Sequence, residues 1–162
     1  MVEFIVYGHP ATAGSKDSFP IRRDGRLTGR TVVVDSDRRA QPWKAHVALA
    51  AVNTGTPCLC GALRLDLAFY FHRPRAHYRT GRNAHLLRDA APAEHITRPD
   101  VLKLARAVED ALTGVLWRDD AQVCQEVLSK HYAEPDEPER VVVSVEQLEV
   151  VPVPIPGQLE IA

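Results

Sequence analysis

Hydrophobic and polar positions alternate most clearly in the segment "ALRLDLAFYF", residues 62–71. Leu63, Leu65, Leu67, Phe69 and Phe71 fall on one side, and the intervening positions are charged, small or tyrosine. A period of two residues with one apolar side is typical of a half-buried β-strand. The pattern therefore predicts a strand whose apolar face contacts the core.

Other segments show shorter apolar patterns of the same kind. "EFIVYG" predicts an N-terminal strand, and "TVVVD" predicts an edge strand inside an otherwise polar region spanning about residues 11–40. "AQVCQEVLSKHYA" and "RVVVSVEQLEV" predict two strands, which the polar turn "EPDEPE" is expected to join as a hairpin. Residues 72–99 show no period, and a segment of this length is usually functional or irregular.

Two segments have helical spacing. "QPWKAHVALAAVN" predicts a first helix with Pro42 in its first turn, and a second is expected from about Asp100 to Thr113, with Gly114 as its stop. At 100° per residue, Leu102 falls about 120° from the middle of the apolar stripe, on the polar side of the second helix. The stripe consists of Val101, Leu104, Ala105, Val108, Ala111 and Leu112.

The order of elements predicts one α+β domain over residues 1–150, in which two helices cover one face of a small, mostly antiparallel sheet. Residues 151–162 are rich in proline and predict an extended C-terminal tail.

The composition predicts an intracellular, cytoplasmic protein. No apolar run approaches the roughly 18 residues that a membrane-spanning helix needs. The start, "MVEFIVYGHP", lacks the basic and apolar regions of a signal peptide. Cys58, Cys60 and Cys124 do not have zinc-ligand spacing and are expected to be reduced thiols.

The net charge of −1 conceals an uneven distribution. Residues 16–44 contain eight Lys and Arg against four Asp and Glu, and residues 72–106 contain eight against three. From residue 109 onward, three basic residues stand against twelve acidic ones. A basic front half can bind a polyanion even when the whole chain is nearly neutral, and an ordinary solvated surface stays open as the alternative.

Three carboxylates are candidates for metal binding: Asp100 at the start of the second helix, and Asp119 and Asp120 in the turn before the next strand. If the ends of these elements converge, the carboxylates would suit Mg²⁺, which prefers oxygen ligands and can activate water for phosphodiester cleavage. Two structural interpretations stay open, since Asp100 can be a helix cap and "RDD" an ordinary turn.

Lys103, Arg106 and Asp110 are in register with Asp100 on the polar face of the second helix. A cation there can orient a carboxylate or bind phosphate. A structural pairing of Arg106 with Asp110, four residues apart, explains part of the pattern equally well.

The segment "RPDVLKLARAVEDALTGVLWRDDAQV" resembles the signature of the RusA-type Holliday junction resolvases, P-D-x-D-[NK]-L-x-[KR]-x-x-x-D-A-L-x-G-x-x-x-x-D-D-x-Q-[VI]. "GHPATAGSK", the first helix and the closing strands match more weakly, so the resemblance covers most of residues 1–150. The thirteen matching positions are Pro99, Asp100, Lys103, Leu104, Arg106, Asp110, Ala111, Leu112, Gly114, Asp119, Asp120, Gln122 and Val123.

The resemblance implies a homodimeric endonuclease of DNA recombination and repair that cuts four-way junctions, depends on Mg²⁺ with Mn²⁺ as a substitute, and is often carried by phages and prophages. It assigns metal binding to Asp100 and Asp120, with Asp119 beside them, and a role in cleavage to Arg106. The expected DNA contacts are Lys16, Arg22, Arg23, Arg26 and Arg30, then Arg73, Arg75, Arg79, Arg82 and Arg88, with Lys103 on the second helix.

Leu102 stands where the family pattern has a second metal-binding aspartate. Leucine cannot ligate a hard cation, so the departure puts cleavage in question but not the fold. Glu109 lies two turns further on, within about 20° of the same face but about 10.5 Å along the axis. Two interpretations of Glu109 stay open: a relocated metal ligand, or an exposed partner of Arg106.

Three hypotheses follow from the sequence: an active junction resolvase, a junction-binding protein that no longer cuts, and an α+β domain without a DNA role. A cleavage assay separates the first two hypotheses, and selective binding of four-way junctions separates both from the third.

Overall fold

A computed structural model describes residues 1–13, 16–35 and 37–149. The predicted tail, residues 151–162, lies outside the described residues, so its extended conformation and the domain boundary at residue 150 stay predictions. The elements follow in the order β1 (Val2–Tyr7), β2 (Lys16–Arg23), β3 (Arg26–Asp35), α1 (Ala40–Asn53), β4 (Leu63–Phe71), α2 (Val101–Leu112), β5 (Val123–Tyr132) and β6 (Arg140–Gln147).

Four strands form the main sheet in the order β1-β6-β4-β5. The pairings of β1 with β6 and of β6 with β4 are antiparallel, and that of β4 with β5 is parallel. The expected α+β class and mostly antiparallel sheet are therefore confirmed. The predicted hairpin of β5 and β6 is wrong because β4, whose apolar face is wholly buried, takes the central position and forms hydrogen bonds along both edges.

One hydrophobic core lies between the sheet and the two helices. The five apolar side chains of β4 that alternate in the sequence are all buried, as predicted. On α2, six residues of the interior-facing side are buried. Trp43 and Val47 of α1 belong to the same core. The helices therefore cover one face of the sheet, and the other face stays partly open at Ile5 and Val127.

A salt bridge fastens α1 to α2 beside this core. Lys44 Nζ lies 2.7 Å from Asp110 Oδ2. Asp110 therefore pairs across the two helices, rather than with Arg106 on its own helix as one interpretation of the sequence had it.

Residues 16–35 form a hairpin instead of the polar loop expected from the sequence. β2 and β3 pair in antiparallel fashion as their own two-stranded sheet, which contains the predicted strand "TVVVD". The turn is made by Asp24 and Gly25, with φ values of 49° and 79°. Asp-Gly is a strong sequence signal for a two-residue hairpin turn, because both positions need positive φ.

The segment from residue 72 to residue 99 is irregular, as predicted, and contains two short 3₁₀ turns at Arg75–His77 and Gly81–Asn83. Arg73 holds it against the sheet: its guanidinium donates to the carbonyl of Pro92 at 2.6 Å and lies 3.9 Å from the centre of the Tyr132 ring. The segment thereby brings Pro99 to the start of α2. In the described part of the chain, no helix has both the length and the apolar character needed to cross a membrane.

Candidate active site and nucleic-acid interface

The edge strand β5 packs beside α2, and polar side chains lie on the surface between them, the α2–β5 groove. Glu126 and Lys130 of β5 pair with Leu65 and Phe69 of β4, so their side chains point to the side of the sheet that α2 covers. The Glu126 carboxyl lies near that of Glu109 at the end of α2. Lys130 Nζ donates to the carbonyls of Thr97 and Pro99, at 2.7 and 2.8 Å, just before α2 begins. The two ends of the groove therefore differ in charge.

Carboxylates gather at the end of the groove where α2 stops. Burial, and after it the nearby charges of Glu126, Asp120 and Asp110, together raise the pKa of the Glu109 carboxyl to about 7. Carboxylates that repel one another in this way leave Glu109 partly protonated near neutral pH. A bound cation would therefore reduce the electrostatic repulsion among these carboxylates.

Asp120 is positioned by the end of α2. The Thr113 hydroxyl contacts Asp120 Oδ1 and accepts a hydrogen bond of 3.1 Å from the indole N–H of the fully buried Trp117. The chain turns between these residues because Gly114 adopts a φ of 79°, a backbone conformation that glycine tolerates best. A rigid part of the core thus fixes the direction of the Asp120 carboxylate.

Asp119 has a structural role in the same turn. Its carboxylate accepts the N–H of Ala121 at 2.9 Å, and the Gln122 side-chain oxygen accepts the N–H groups of Arg118 and Asp119 at 2.9 and 3.2 Å. This reciprocal arrangement is a capping box. The interpretation of "RDD" as a turn is therefore correct for Asp119.

Asp100 lies at the opposite end of the groove. It occupies the N-cap position of α2, yet within the described part of the chain its side chain caps no backbone N–H. The carboxylate is 69% exposed and lies 3.9 Å from Lys103 Nζ. Asp100 is thus not the ordinary helix cap that the alternative interpretation required, and its carboxylate faces solvent.

Asp100 and Asp120 do not meet within one chain. Thr113, which contacts Asp120, is thirteen positions after Asp100, and a rise of 1.5 Å per residue makes that about 20 Å along α2. Among residues 1–13, 16–35 and 37–149, no three His, Cys, Asp or Glu side chains are placed to hold one metal ion. The expectation that these carboxylates converge is not met by a single subunit.

Leu102 is 69% exposed, as its position outside the apolar stripe predicted. Arg106, one turn further along α2, is exposed as well, whereas Glu109 is half-buried. Glu109 is half-buried, and the charged groups that act on it are Glu126, Asp120 and Asp110, so the interpretation of Glu109 as an exposed partner of Arg106 is wrong.

The hairpin of β2 and β3 has a basic, exposed tip. Arg23 and Arg26 lie directly opposite each other beside the turn, and Arg22 and Arg30 are exposed close by. Like charges directly opposite in a strand pair are destabilising, and an anion between them would remove the repulsion. Lys16, the remaining candidate of this region, is the first residue of β2.

The second basic segment is less uniform than the sequence implied. Arg79 donates to Asp89 Oδ1 at 2.7 Å, and Arg88 donates to the carbonyl of Tyr78 at 2.8 Å, so both help to hold the segment together, as Arg73 does. Arg75 and Arg82 lie exposed on the two 3₁₀ turns.

Sequence comparison establishes the class of protein to which this arrangement belongs. The model of the endodeoxyribonuclease RusA family matches residues 20–146, and the chain belongs to this family. Membership confirms the resemblance found in the sequence and supports a junction-resolving endonuclease in general. A curated relative is the uncharacterized protein YqaN of Bacillus subtilis (strain 168), which is 28% identical over 134 residues, covering 82% of this chain and 89% of YqaN.

Glu126 and Lys130 are the site residues that the sequence pattern did not reveal. They flank Leu128 on alternate positions of β5, so two charged residues share a side with an inward-facing leucine. In "QEVLSK" the residues alternate between the two sides of the strand, so Glu126 and Lys130 share the side of Leu128. This placement could have identified them as candidate site residues, because charged side chains on an inward-facing side need partners.

We predict that removing the Glu109 charge stabilises the fold at high pH. The folded-state pKa of about 7 exceeds the usual 4.5, so folding favours the protonated form and stability is lost as pH rises from 4.5 toward 7. Glu109→Gln is expected to raise the free energy of unfolding by about 1 kcal/mol near pH 8, after allowance for solvent screening, and by less near pH 5. Urea denaturation at both pH values measures the difference.

The matched control for this prediction is Glu134→Gln, since Glu134 is exposed in the turn before β6. An equal effect of both substitutions, or a gain from Glu109→Gln that does not depend on pH, would contradict the prediction.

Proposed function

We propose that the chain is a homodimeric, Mg²⁺-dependent endonuclease that cuts four-way DNA junctions, with Mn²⁺ as a substitute. The observation that carries this proposal is the group of carboxylates formed by Glu109, Asp120 and Glu126 at one end of the α2–β5 groove, in a chain of the RusA family. A cytoplasmic location and carriage by phages or prophages belong to the same proposal.

The donor chemistry of this end of the groove fits a hard divalent cation. Carboxylate oxygens are the ligands such a cation prefers, and the raised pKa of Glu109 records a repulsion that a cation would offset. When bound, a divalent ion activates water and neutralises charge on the phosphodiester. Within the described part of one chain these carboxylates do not form a complete metal site. Asp120 and Glu109, with Glu126 beside them, would therefore share the ion with a carboxylate from elsewhere, and Asp119 would keep the turn in place.

If Asp100 and Asp120 bind the same ion, the two carboxylates must belong to different subunits. The α2 helix keeps Asp100 of one chain about 20 Å along its axis from Thr113, the residue that contacts Asp120. In a twofold-symmetric dimer each surface of one subunit faces its counterpart, so two α2 helices lying side by side in opposite directions would bring Asp100 to Asp120 of the partner subunit. The dimer would then carry two identical sites, one for each of two opposed strands.

This arrangement also explains how the site tolerates Leu102. Glu109 need not reach Leu102 of its own chain, because it already lies near Asp120. It would supply the carboxylate that the family pattern places at position 102. The separation of about 10.5 Å between Leu102 and Glu109 along the helix then does not prevent Glu109 from binding the ion.

The exposed cations have separate roles in the proposal. Arg106 and Lys103 face solvent on the same side of α2 as Leu102, where they would contact the phosphates beside the scissile bond. The β2–β3 hairpin is a two-stranded ribbon, a shape that the DNA major groove can accept. Its arginines at positions 22, 23, 26 and 30 would bind the backbone of one junction arm, with Arg75 and Arg82 on another.

The proposal predicts that two inactive variants restore activity when mixed. Asp100→Asn and Asp120→Asn should each abolish cleavage alone. In a mixed dimer with shared sites, one site has both substitutions and the other has neither. If subunits exchange at random, about a quarter of the wild-type activity should return, measured on a synthetic four-way junction with Mg²⁺.

The control is a mixture of Asp120→Asn with Glu109→Ala. In the proposed dimer each site takes Asp120 and Glu109 from the same subunit, so every site of the mixed dimer carries one of the two substitutions and stays impaired. Absence of recovery in the Asp100 and Asp120 mixture would contradict a site built from two subunits.

We further predict that Glu109→Ala lowers the cleavage rate by about 100-fold, in the range expected for loss of a group that supports catalysis. Junction affinity measured with Ca²⁺ in place of Mg²⁺ should change by less than about threefold, because the phosphate contacts are unaltered. Glu134→Ala is the control, and Leu102→Asp introduced together with Glu109→Ala should recover part of the rate.

A chain that binds junctions tightly but cuts only after Leu102→Asp would contradict the proposed role of Glu109. Such a result would establish the second candidate function, a junction-binding protein that has lost cleavage, which the exposed Leu102 favours.

The hairpin is predicted to contribute through phosphate contacts. Arg23→Gln and Arg26→Gln should each weaken junction binding and lower by about one the slope of log affinity against log salt concentration. Fluorescence anisotropy over a salt series measures both quantities. Arg64→Gln is the control, because Arg64 pairs with Asp66 on the uncovered face of the sheet; an equal loss there would contradict a specific role for the hairpin.

A further inference from the structure

A cleft of about 390 Å³ lies beside the start of α2, outside the carboxylate group described above. Its apolar walls include Pro10, Pro74 and Phe71, the last residue of β4. This volume is within the range of small-molecule binding sites, which are mostly apolar with a few fixed polar groups. The cleft therefore has the size and lining for a small, flat, partly polar group.

The polar groups of the cleft are held in place by one another. Glu139 accepts the backbone N–H of His72 at 3.0 Å, and its other oxygen lies 2.6 Å from His9 Nδ1. On another wall, Asp37 accepts two hydrogen bonds of 3.0 Å from the Arg39 guanidinium. Each acidic group has a basic neighbour, so the cleft offers donors and acceptors without a large net charge.

His95 lies at the back of the cleft. It is only 8% exposed and is packed between the rings of Phe71 and Tyr132, at 4.8 and 4.9 Å between centroids. Its Nδ1 atom is enclosed by the protein, close to the backbone of His95 and Thr97. The ring therefore contributes a flat wall to the cleft together with Phe71.

The cleft opens toward Asp100. Thr12, Arg98 and Pro99 line both this cleft and a second depression, whose remaining walls are Asp100 and Lys103. A group in the cleft would thus be next to a phosphate that Lys103 holds beside Asp100.

We propose that this cleft receives one unstacked base of the junction strand, the base next to the phosphate that is cut. The inference rests on the proposed function and specifies how the site holds its substrate. A base presents a flat apolar surface with donors and acceptors at its edge, which matches the proline and aromatic walls and the paired polar groups of the cleft. A bare anion does not match, because Asp37 and Glu139 line the same walls.

A branched substrate suits such a cleft better than a continuous duplex. Extracting a base costs stacking and pairing energy, and the cost is least where stacking is already interrupted. At a branch point the strands exchange partners, so the neighbouring bases are the easiest to extract. The cleft would therefore favour junctions over linear DNA without reading the base sequence of the arms.

The test uses four-way junctions with 2-aminopurine at single positions around the crossover, bound by the full chain with Ca²⁺ in place of Mg²⁺. Fluorescence of 2-aminopurine rises when the base leaves the stack. We expect a rise of about threefold or more at one position in each cleaved strand. Two variants that fill the cleft from different walls, Thr12→Trp and Pro74→Trp, should remove most of that rise and slow cleavage by about tenfold or more.

Thr56→Trp is the control, since Thr56 lines a separate depression with Met1 and Gln147. The filled variants should bind junctions within about threefold of the unmodified chain, because the backbone contacts remain. No fluorescence rise at any crossover position, or a rise that survives in both filled variants, would overturn the inference while leaving the proposed function intact.

Junction binding and the subunit interface provide two further outcomes. Failure of the unmodified chain to bind junctions at all would overturn the proposed function itself, and the base-binding cleft with it. Conversion of a dimer to a monomer by the filled variants, measured by sedimentation, would assign the cleft to the subunit interface and overturn base binding.

Discussion

The burial of one stripe of α2 between α1 and the sheet is the constraint on which the site depends. Leu104, Val108 and Leu112 are fully buried, so this helix cannot rotate or slide without exposing the core. The same burial fixes what faces outward: a leucine, an arginine and a half-buried glutamate in succession. The packed helix also sets the distance between the acidic residues at its two ends.

The parts of the fold that repeat a simple pattern were predictable from the sequence. The strict alternation of β4, the stripe of α2 and the stop at Gly114 all depend on local periodicity or backbone preference, and the structure has them at the predicted positions. The pairing of β5 was not predictable in the same way. Whether β5 joins β6 or β4 depends on which strand best fills the centre of the sheet, a property of the whole core.

In the candidate site, too, some features were predictable from local sequence and others were not. The family signature identified the residues at both ends of α2, and helix geometry alone marked Leu102 as an exposed position. The surroundings of Glu109 were not predictable, because Glu126 arrives from β5 through a parallel pairing that the sequence did not indicate. Asp119 and Asp120 are adjacent in the chain, yet one caps a turn and the other contacts Thr113.

The length of α2 has a consequence for when the protein can act. Under the proposed arrangement, a single subunit carries two half-sites and no whole one, so a newly synthesised chain is harmless to the chromosome around it. In that arrangement cutting would begin only once copies are abundant enough to associate, and each association would create both sites together. A helix of twelve residues would thereby link the start of strand cleavage to how much of the protein has accumulated.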